Sequence, residues 1–193
     1  MARVLAGPPR DLRPIPRRPG HAKLGGSPSP VSPRGIFRMS ITASSAQDLI
    51  AFIRDSIPLA HSMDLRLHSH DEEHLAVLAP LPPNINDKGC AFGGSLVSLM
   101  TLSGWGLVEL ELRRRGFDCD VFVAESNVHY LAPVWEDFLS EARLAHGASW
   151  DAFFHTLRTR GRARIEVACR VPGEQADKPA ATLSARFVAK RRD

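Results

Sequence analysis

The sequence predicts an α+β domain in which an antiparallel β-sheet wraps around one long central α-helix. Three observations predict it. Residues 93–115 form one run whose first half is apolar on nearly every helical face, with Leu96, Val97, Leu99, Met100, Leu102 and Trp105. Strand-like segments fall mainly after that run. Two of them alternate with period two, Ile165/Val167/Cys169/Val171 and Leu183/Ala185/Phe187/Ala189, with polar residues between. A helix apolar all round must be buried, and consecutive strands on one helix give a sheet layered against it.

Taken in order, the first 38 residues stand apart. They hold eight of the fifteen prolines and five of the fourteen glycines, and eight Arg/Lys against one acidic residue, Asp11. Such a segment cannot bury enough apolar surface to offset its ordering entropy, so 1–38 is expected to be a disordered basic tail. It is Arg-rich like a transit peptide, but its prolines argue against the amphipathic helix that such a signal needs. A second reading makes Met39 the true start and the preceding stretch an artefact of gene calling.

The tail also explains the net charge of +4. Residues 39–193 carry 17 basic and 20 acidic side chains, so the folded part is mildly acidic and gives a nucleic-acid partner no support. Cys90, Cys119 and Cys169 show no CxxC pair and no ligand spacing. No apolar signal core lies near the start, and the central run is too interrupted by Ser103, Gly104, Gly106, Glu109 and Glu111 to span a bilayer. The expected setting is reducing and cytoplasmic, with no membrane partner.

From Met39 the pattern is orderly. Ser45-x-x-Asp48 is a capping box for a helix with apolar Leu49, Phe52, Ile53 and Ile57, ended by Pro58. Strands at 63–69 and 74–79 flank the polar tip 70–73. After the proline-rich break at Pro80, Pro82 and Pro83 comes "NINDKGCAFGGSL", residues 84–96, the doorway to the central helix. That helix closes on Arg113-Arg114-Arg115-Gly116, cations at the negative end of its dipole and a glycine stop. Further strands are expected at 120–130, 138–145, 163–171 and 181–190. A short helix at 149–160, with Trp150, Phe153, Phe154 and Leu157 on one face, ends at Gly161.

"IPLAHSMDLRL", "PNINDKGCAFGGSL", "SNVHYLAPV" and "GRARIEV" resemble the thioesterase domain at the C-terminus of YiiD-type proteins, from about Ser45 onward. The resemblance implies the hotdog fold, an acyl-CoA or acyl carrier protein substrate, no cofactor, and a homodimer or dimer of dimers. In the proteins that name the family an acetyltransferase domain precedes this one, and residues 1–38 are too few to encode it. Hotdog thioesterases of the PaaI type carry N-x-x-G-x-x-H-G-G before the central helix and an acidic residue inside it. Here Asn86, Gly89, Gly93 and Gly94 match, whereas Phe92 stands in place of His and Thr101 in place of the carboxylate.

Thioester hydrolysis needs a polarised carbonyl, a base and a groove for the pantetheine arm. Free amides around Gly93, Gly94 and Ser95, at the positive end of the helix dipole, suit a developing oxyanion. The same glycines also suit tight packing against the sheet. Asp87, the only carboxylate in the loop, is read as general base or nucleophile, or as an Asx-turn or capping residue. Asn86 orients water or carbonyl, or holds the turn. With Gly94 and Ser95 these form the candidate catalytic set; Gly89, Phe92, Gly93 and Thr101 are expected to line the substrate. Cys90 near the helix start is a weaker nucleophile candidate, with no His or Asp placed beside it.

On the following strand Glu125, Asn127 and His129 alternate along one face, with Val128 and Tyr130 on the other. In two-fold hotdog dimers this strand lies near the partner's helix entrance, which makes Asn127 and His129 candidates for a shared site. Ser95 and Ser103 lack a G-x-S-x-G elbow. His68, His70 and His74 surround an acidic tip with no carboxylate at ligand spacing, so no metal is expected. Lys88, Arg158 and Arg160 are candidate partners for a nucleotide phosphate. The rival readings are a catalytically silent acyl-thioester-binding module and a hydratase, whose D-x5-H arrangement is missing near this helix.

Overall fold

The computed structural model describes residues 45–175 and 177–192. The basic tail 1–38 and the Met39 start lie outside the described residues. Helix α1 (Ala46–Ser56) opens on the complete capping box: Ser45 Oγ accepts from the Asp48 amide at 3.2 Å, and the Asp48 carboxylate accepts from the Ser45 amide at 3.0 Å. Ala46, Leu49, Ile50 and Ile53 are its buried face. Phe52, expected on that face, is instead exposed, with the Arg113 guanidinium 5.2 Å from its ring centre. Pro58 ends α1 and also starts a short helix, α2 (Pro58–Ser62), which the sequence reading did not foresee; proline suits the first helical position because no amide is wanted there.

Strands β1 (Arg66–His70) and β2 (His74–Ala79) form the expected hairpin. The central helix α3 (Gly93–Arg114) follows, then β3 (Cys119–Tyr130), β4 (Phe138–Leu144), helix α4 (Trp150–Arg160), β5 (Arg162–Pro172) and β6 (Pro179–Arg191). The strands form one antiparallel sheet in the order β1-β2-β4-β5-β6-β3. β1 and β3 are therefore its edges. β1 is five residues long with a bulge between Leu67 and Ser69; β3 is twelve residues long with a bulge between Val123 and Glu125.

The inner face carries Leu75, Val77, Phe138, Ala142, Ile165, Val167, Cys169, Leu183, Ala185 and Phe187, all buried against α3 or its neighbours. Close approach is permitted by Gly104 and Gly106. A Cβ on Gly106 would come 2.9 Å from Leu75 Cδ2, and one on Gly104 3.1 Å from Cys169 Sγ and the Phe187 ring. Burial along α3 corrects the expectation for its first half. Val97, Leu102 and Trp105 are only half-buried, while the second half is covered almost completely, Glu111 included. Glu111 tolerates burial because Arg114 stands 2.7 Å and Arg115 3.6 Å from its carboxylate. Inside the core, the Ser103 hydroxyl donates to Met100 O at 3.0 Å and meets Ser140 Oγ at 2.6 Å, so each buried hydroxyl is satisfied.

Candidate active site at the helix entrance

The chain reaches α3 through a loop pinned at its stem. Asn84 is buried and donates from Nδ2 to Met63 O at 3.0 Å and Pro80 O at 2.7 Å. Its backbone carbonyl accepts from the Phe92 amide at 2.7 Å, and the Ala91 amide donates to Val134 O at 2.7 Å. The sequence reading passed over Asn84; a polar side chain beside three prolines was the only signal for it.

The tip is self-contained. Asn86 Oδ1 accepts from the Lys88 amide at 2.8 Å and the Cys90 amide at 3.3 Å, and Nδ2 donates to Cys90 Sγ at 3.1 Å. These bonds hold the turn. Gly89 lies at φ +90°, where a residue with a Cβ is strained, and its amide donates to Asn86 O at 3.2 Å. Asp87 projects into solvent, its side chain 80% exposed and 2.8 Å from Lys88 Nζ. Cys90 is buried beneath the tip.

Helix α3 then begins on Phe92, which supplies no side-chain cap, and no acidic residue stands in the first turn. The first intrahelical bond runs from the Leu96 amide to Phe92 O at 3.0 Å. The amides of Gly93, Gly94 and Ser95 thus meet no acceptor among the described residues. Around them lie exposed apolar groups: Phe92 is 55% exposed, and Ile85, Tyr130, Leu131 and Trp135 are similarly open. The Phe92 ring fills the space a Cβ on Gly94 would need, at 2.2 Å from that position, so only glycine fits beneath it as placed. The Tyr130 hydroxyl donates to Gly93 O at 3.2 Å. Ser95 and Thr101 are half-buried on α3.

The entrance therefore gathers Gly89, Phe92, Gly93, Gly94 and Ser95, with Asn86 behind them, and adds Tyr130, which the sequence had placed only on the opposite strand face. It does not gather Asn127 and His129. The β3–β6 register pairs Glu125 with Arg186, Asn127 with Ser184 and His129 with Thr182, all on the sheet face away from α3. Val128 and Tyr130 pair with the buried Leu183 and Ala181 and face the helix. Glu125 is tied on that outer face to Arg186 at 2.8 Å.

Other reactive groups are held inert. Burial pushes the Cys169 thiol up to about 12. Burial, followed by the nearby Glu109 and Asp118 carboxylates, pushes Cys119 up to about 11. Burial also raises Glu109, against the opposing pull of Arg113 at 2.9 Å. Among the described residues no group of three His, Cys, Asp or Glu side chains is arranged to hold a metal ion. Two grooves, of about 270 Å³ beside Arg54 and His61 and about 500 Å³ beside Glu111 and Trp150, include no residue of the entrance.

Residues 46–191 match the family described as "Putative thioesterase (yiiD_Cterm)". The chain belongs to this family. Solved structures similar to this YiiD-type domain include a protein from Chlorobaculum tepidum, 28% identical over 76% of this chain and 94% of that one, with a TM-score of 0.72. A "putative thioesterase" from Shewanella oneidensis is 28% identical over 74% of this chain and 94% of its own, TM-score 0.65. A thioesterase from Haemophilus influenzae shares the fold at 14% identity, covering 76% and 91%, TM-score 0.59. The fold is the hotdog fold, a six-stranded antiparallel sheet packed on α3. Among the described residues no helix is long and apolar enough to cross a membrane.

Proposed function

We propose that this YiiD-type domain hydrolyses acyl thioesters of coenzyme A or acyl carrier protein at the entrance to α3. The observation that carries the reading is the set of three amides at Gly93, Gly94 and Ser95, half-buried beside Phe92 and Tyr130 and without an acceptor among the described residues. A thioester carbonyl seated there gains hydrogen bonds and the helix dipole as its oxygen becomes an oxyanion. The apolar walls suit the acyl or pantetheine carbons. Asp87, the only carboxylate of the loop, is the proposed base or nucleophile, and Asn86, whose side-chain oxygen already accepts from two amides, positions the tip.

The working unit in this reading is a homodimer joined along β3. Among the described residues, seven of the nine exposed large apolar side chains, Ile85, Phe92, Phe122, Val123, Tyr130, Leu131 and Trp135, lie on β3, its exit or the entrance loop. A long apolar edge with free backbone groups is a template for another strand. Light scattering separates a monomer from a dimer or a dimer of dimers. The three free, buried cysteines suit a reducing, cytoplasmic compartment.

The test is release of free thiol from acyl-CoA and acyl-carrier-protein substrates of graded chain length, with Asp87→Ala beside wild type. Turnover that falls in the variant supports Asp87 as base. No turnover on any substrate sinks the hydrolase reading. It would favour a silent thioester-binding module, the second reading, which the solvent-facing Asp87 and the absence of a first-turn carboxylate support.

A further inference from the structure

The three uncapped amides at the start of α3 are not equivalent, because an amide N–H shares its peptide plane with the carbonyl of the residue before it. The Gly93 amide lies in the plane of Phe92 O, which takes the Leu96 amide at 3.0 Å. The Gly94 amide lies in the plane of Gly93 O, and that oxygen accepts from the Tyr130 hydroxyl at 3.2 Å. The Ser95 amide lies in the plane of Gly94 O. Among the described residues, Gly93 O is the only one of these three oxygens that receives a donor from another element. In a trans peptide the C=O and N–H point opposite ways, so a donor on Gly93 O stands behind the Gly94 N–H.

The sheet holds Tyr130 in place for this contact. Tyr130 is the last residue of β3 and pairs with Ala181; just beyond it, the Leu131 and Ala132 amides donate to Ala180 O at 2.8 and 3.0 Å. Its ring also lies against the open side of Gly93, where a Cβ would stand 3.5 Å from Tyr130 Cε1. A Gly-Gly peptide at a helix start has no Cβ and no preceding turn to hold it, so a contact from the sheet fixes its direction. Donation to a carbonyl also strengthens the N–H of the same peptide, by roughly 10–30% per bond. The ring is 55% exposed in the protomer, so water competes for the bond until a bound thioester covers it.

We infer that Tyr130 is a positioning residue of the thioester site, acting through the Gly93–Gly94 peptide: its hydroxyl aims and polarises the Gly94 N–H toward the carbonyl oxygen of the substrate. The inference rests on the proposed thioester site and singles out one donor within it. The phenol itself neither touches the substrate carbonyl nor exchanges a proton with it. The oxyanion draws on the Gly94 amide more strongly than the ground-state carbonyl does, so the hydroxyl acts on kcat rather than on KM. A residue that only walls the site would do the reverse, since lost apolar contact weakens substrate and transition state alike.

Tyr130 is the only tyrosine in the chain, so two replacements grade a single phenol. Tyr130→Phe keeps the ring and removes the donor, and growth on 3-fluorotyrosine makes the donor stronger at this position alone. On an acyl-CoA substrate, kcat should be roughly three- to tenfold lower in Tyr130→Phe, with KM within about twofold. A coenzyme A ketone, with CH2 in place of the thioester sulphur and carbon-13 at the carbonyl, gives a readout that needs no turnover. Its infrared carbonyl stretch should fall on binding to wild type, fall less on Tyr130→Phe and fall furthest on the fluorinated protein. If light scattering finds an altered assembly in Tyr130→Phe, wild type and the fluorinated protein carry the comparison. An equal stretch in the proteins compared overturns the inference, as does a Tyr130→Phe variant with raised KM and unchanged kcat. A wild type that lowers the stretch yet cleaves no thioester defeats the hydrolase reading, and the graded stretch then decides on Tyr130. A wild type that leaves the stretch at its value in water overturns the thioester site and this inference together.

Discussion

Helix α1 begins on a serine whose hydroxyl accepts from the Asp48 amide and whose own amide donates to the Asp48 carboxylate, whereas α3 begins on a phenylalanine that caps none of its first three amides. Helix α4 follows the first pattern, with Ser149 Oγ accepting from the Ala152 amide at 3.4 Å and Asp151 in the first turn. The ordinary way to stabilise a helix start is thus used twice in this chain and withheld at the longest helix. An uncapped start costs stability, and its amides stay available for an oxygen that the protein does not itself supply. In the proposed reading the difference separates a start that serves folding from one that serves a ligand.

Giving α3 a cap is the strongest way to break that contrast. Phe92→Ser should stabilise the protein by about 1 kcal/mol while thioester turnover falls on the order of 10²–10³-fold, read from a melting curve and a thiol-release assay on one preparation. A variant gaining stability with full activity would show that the amides do not act. Gly94→Ala comes next. Its Cβ displaces the ring of the exposed Phe92, so kcat/KM should drop roughly tenfold with less than about 1 kcal/mol change in stability. Ser45→Ala removes a two-way box and should cost about 1 kcal/mol, about 2–4 °C in Tm, with turnover untouched. Ser149→Ala, which loses one long bond, should cost about half that.

The sequence announced most of the architecture because local chemistry and global burial agree there. The Ser45–Asp48 box, the alternation in β5 and β6 and the arginine-glycine stop after α3 each stand where they were expected. The site was legible as a place, since the glycines and the absence of a capping residue can be read from residues 86–95. Its chemistry was less so. Asn86 looked available, but its acceptor oxygen is consumed by two amides of its own turn, a fact of three-dimensional closure. Asn127 and His129 share a face, as alternation requires, yet alternation cannot say which face meets the helix. On β3 both faces are exposed along most of the strand, so the polar-apolar contrast that fixes direction elsewhere is weak. Glu111 is buried with Arg114 and Arg115 beside its carboxylate, a pairing of charges that the sequence reading did not address.

The two borders of the sheet differ in a way that bears on stoichiometry. β1 is short, kinked by its bulge and lined with Arg66, His68 and His70, a poor surface for further strand addition. β3 is twelve residues long, and Phe122, Val123 and Tyr130 on it are exposed. A molecule with one receptive border and one blunted border can join a second copy but offers that pair no new border on which to grow. In the proposed β3 dimer both remaining borders are β1, so strand addition stops at two.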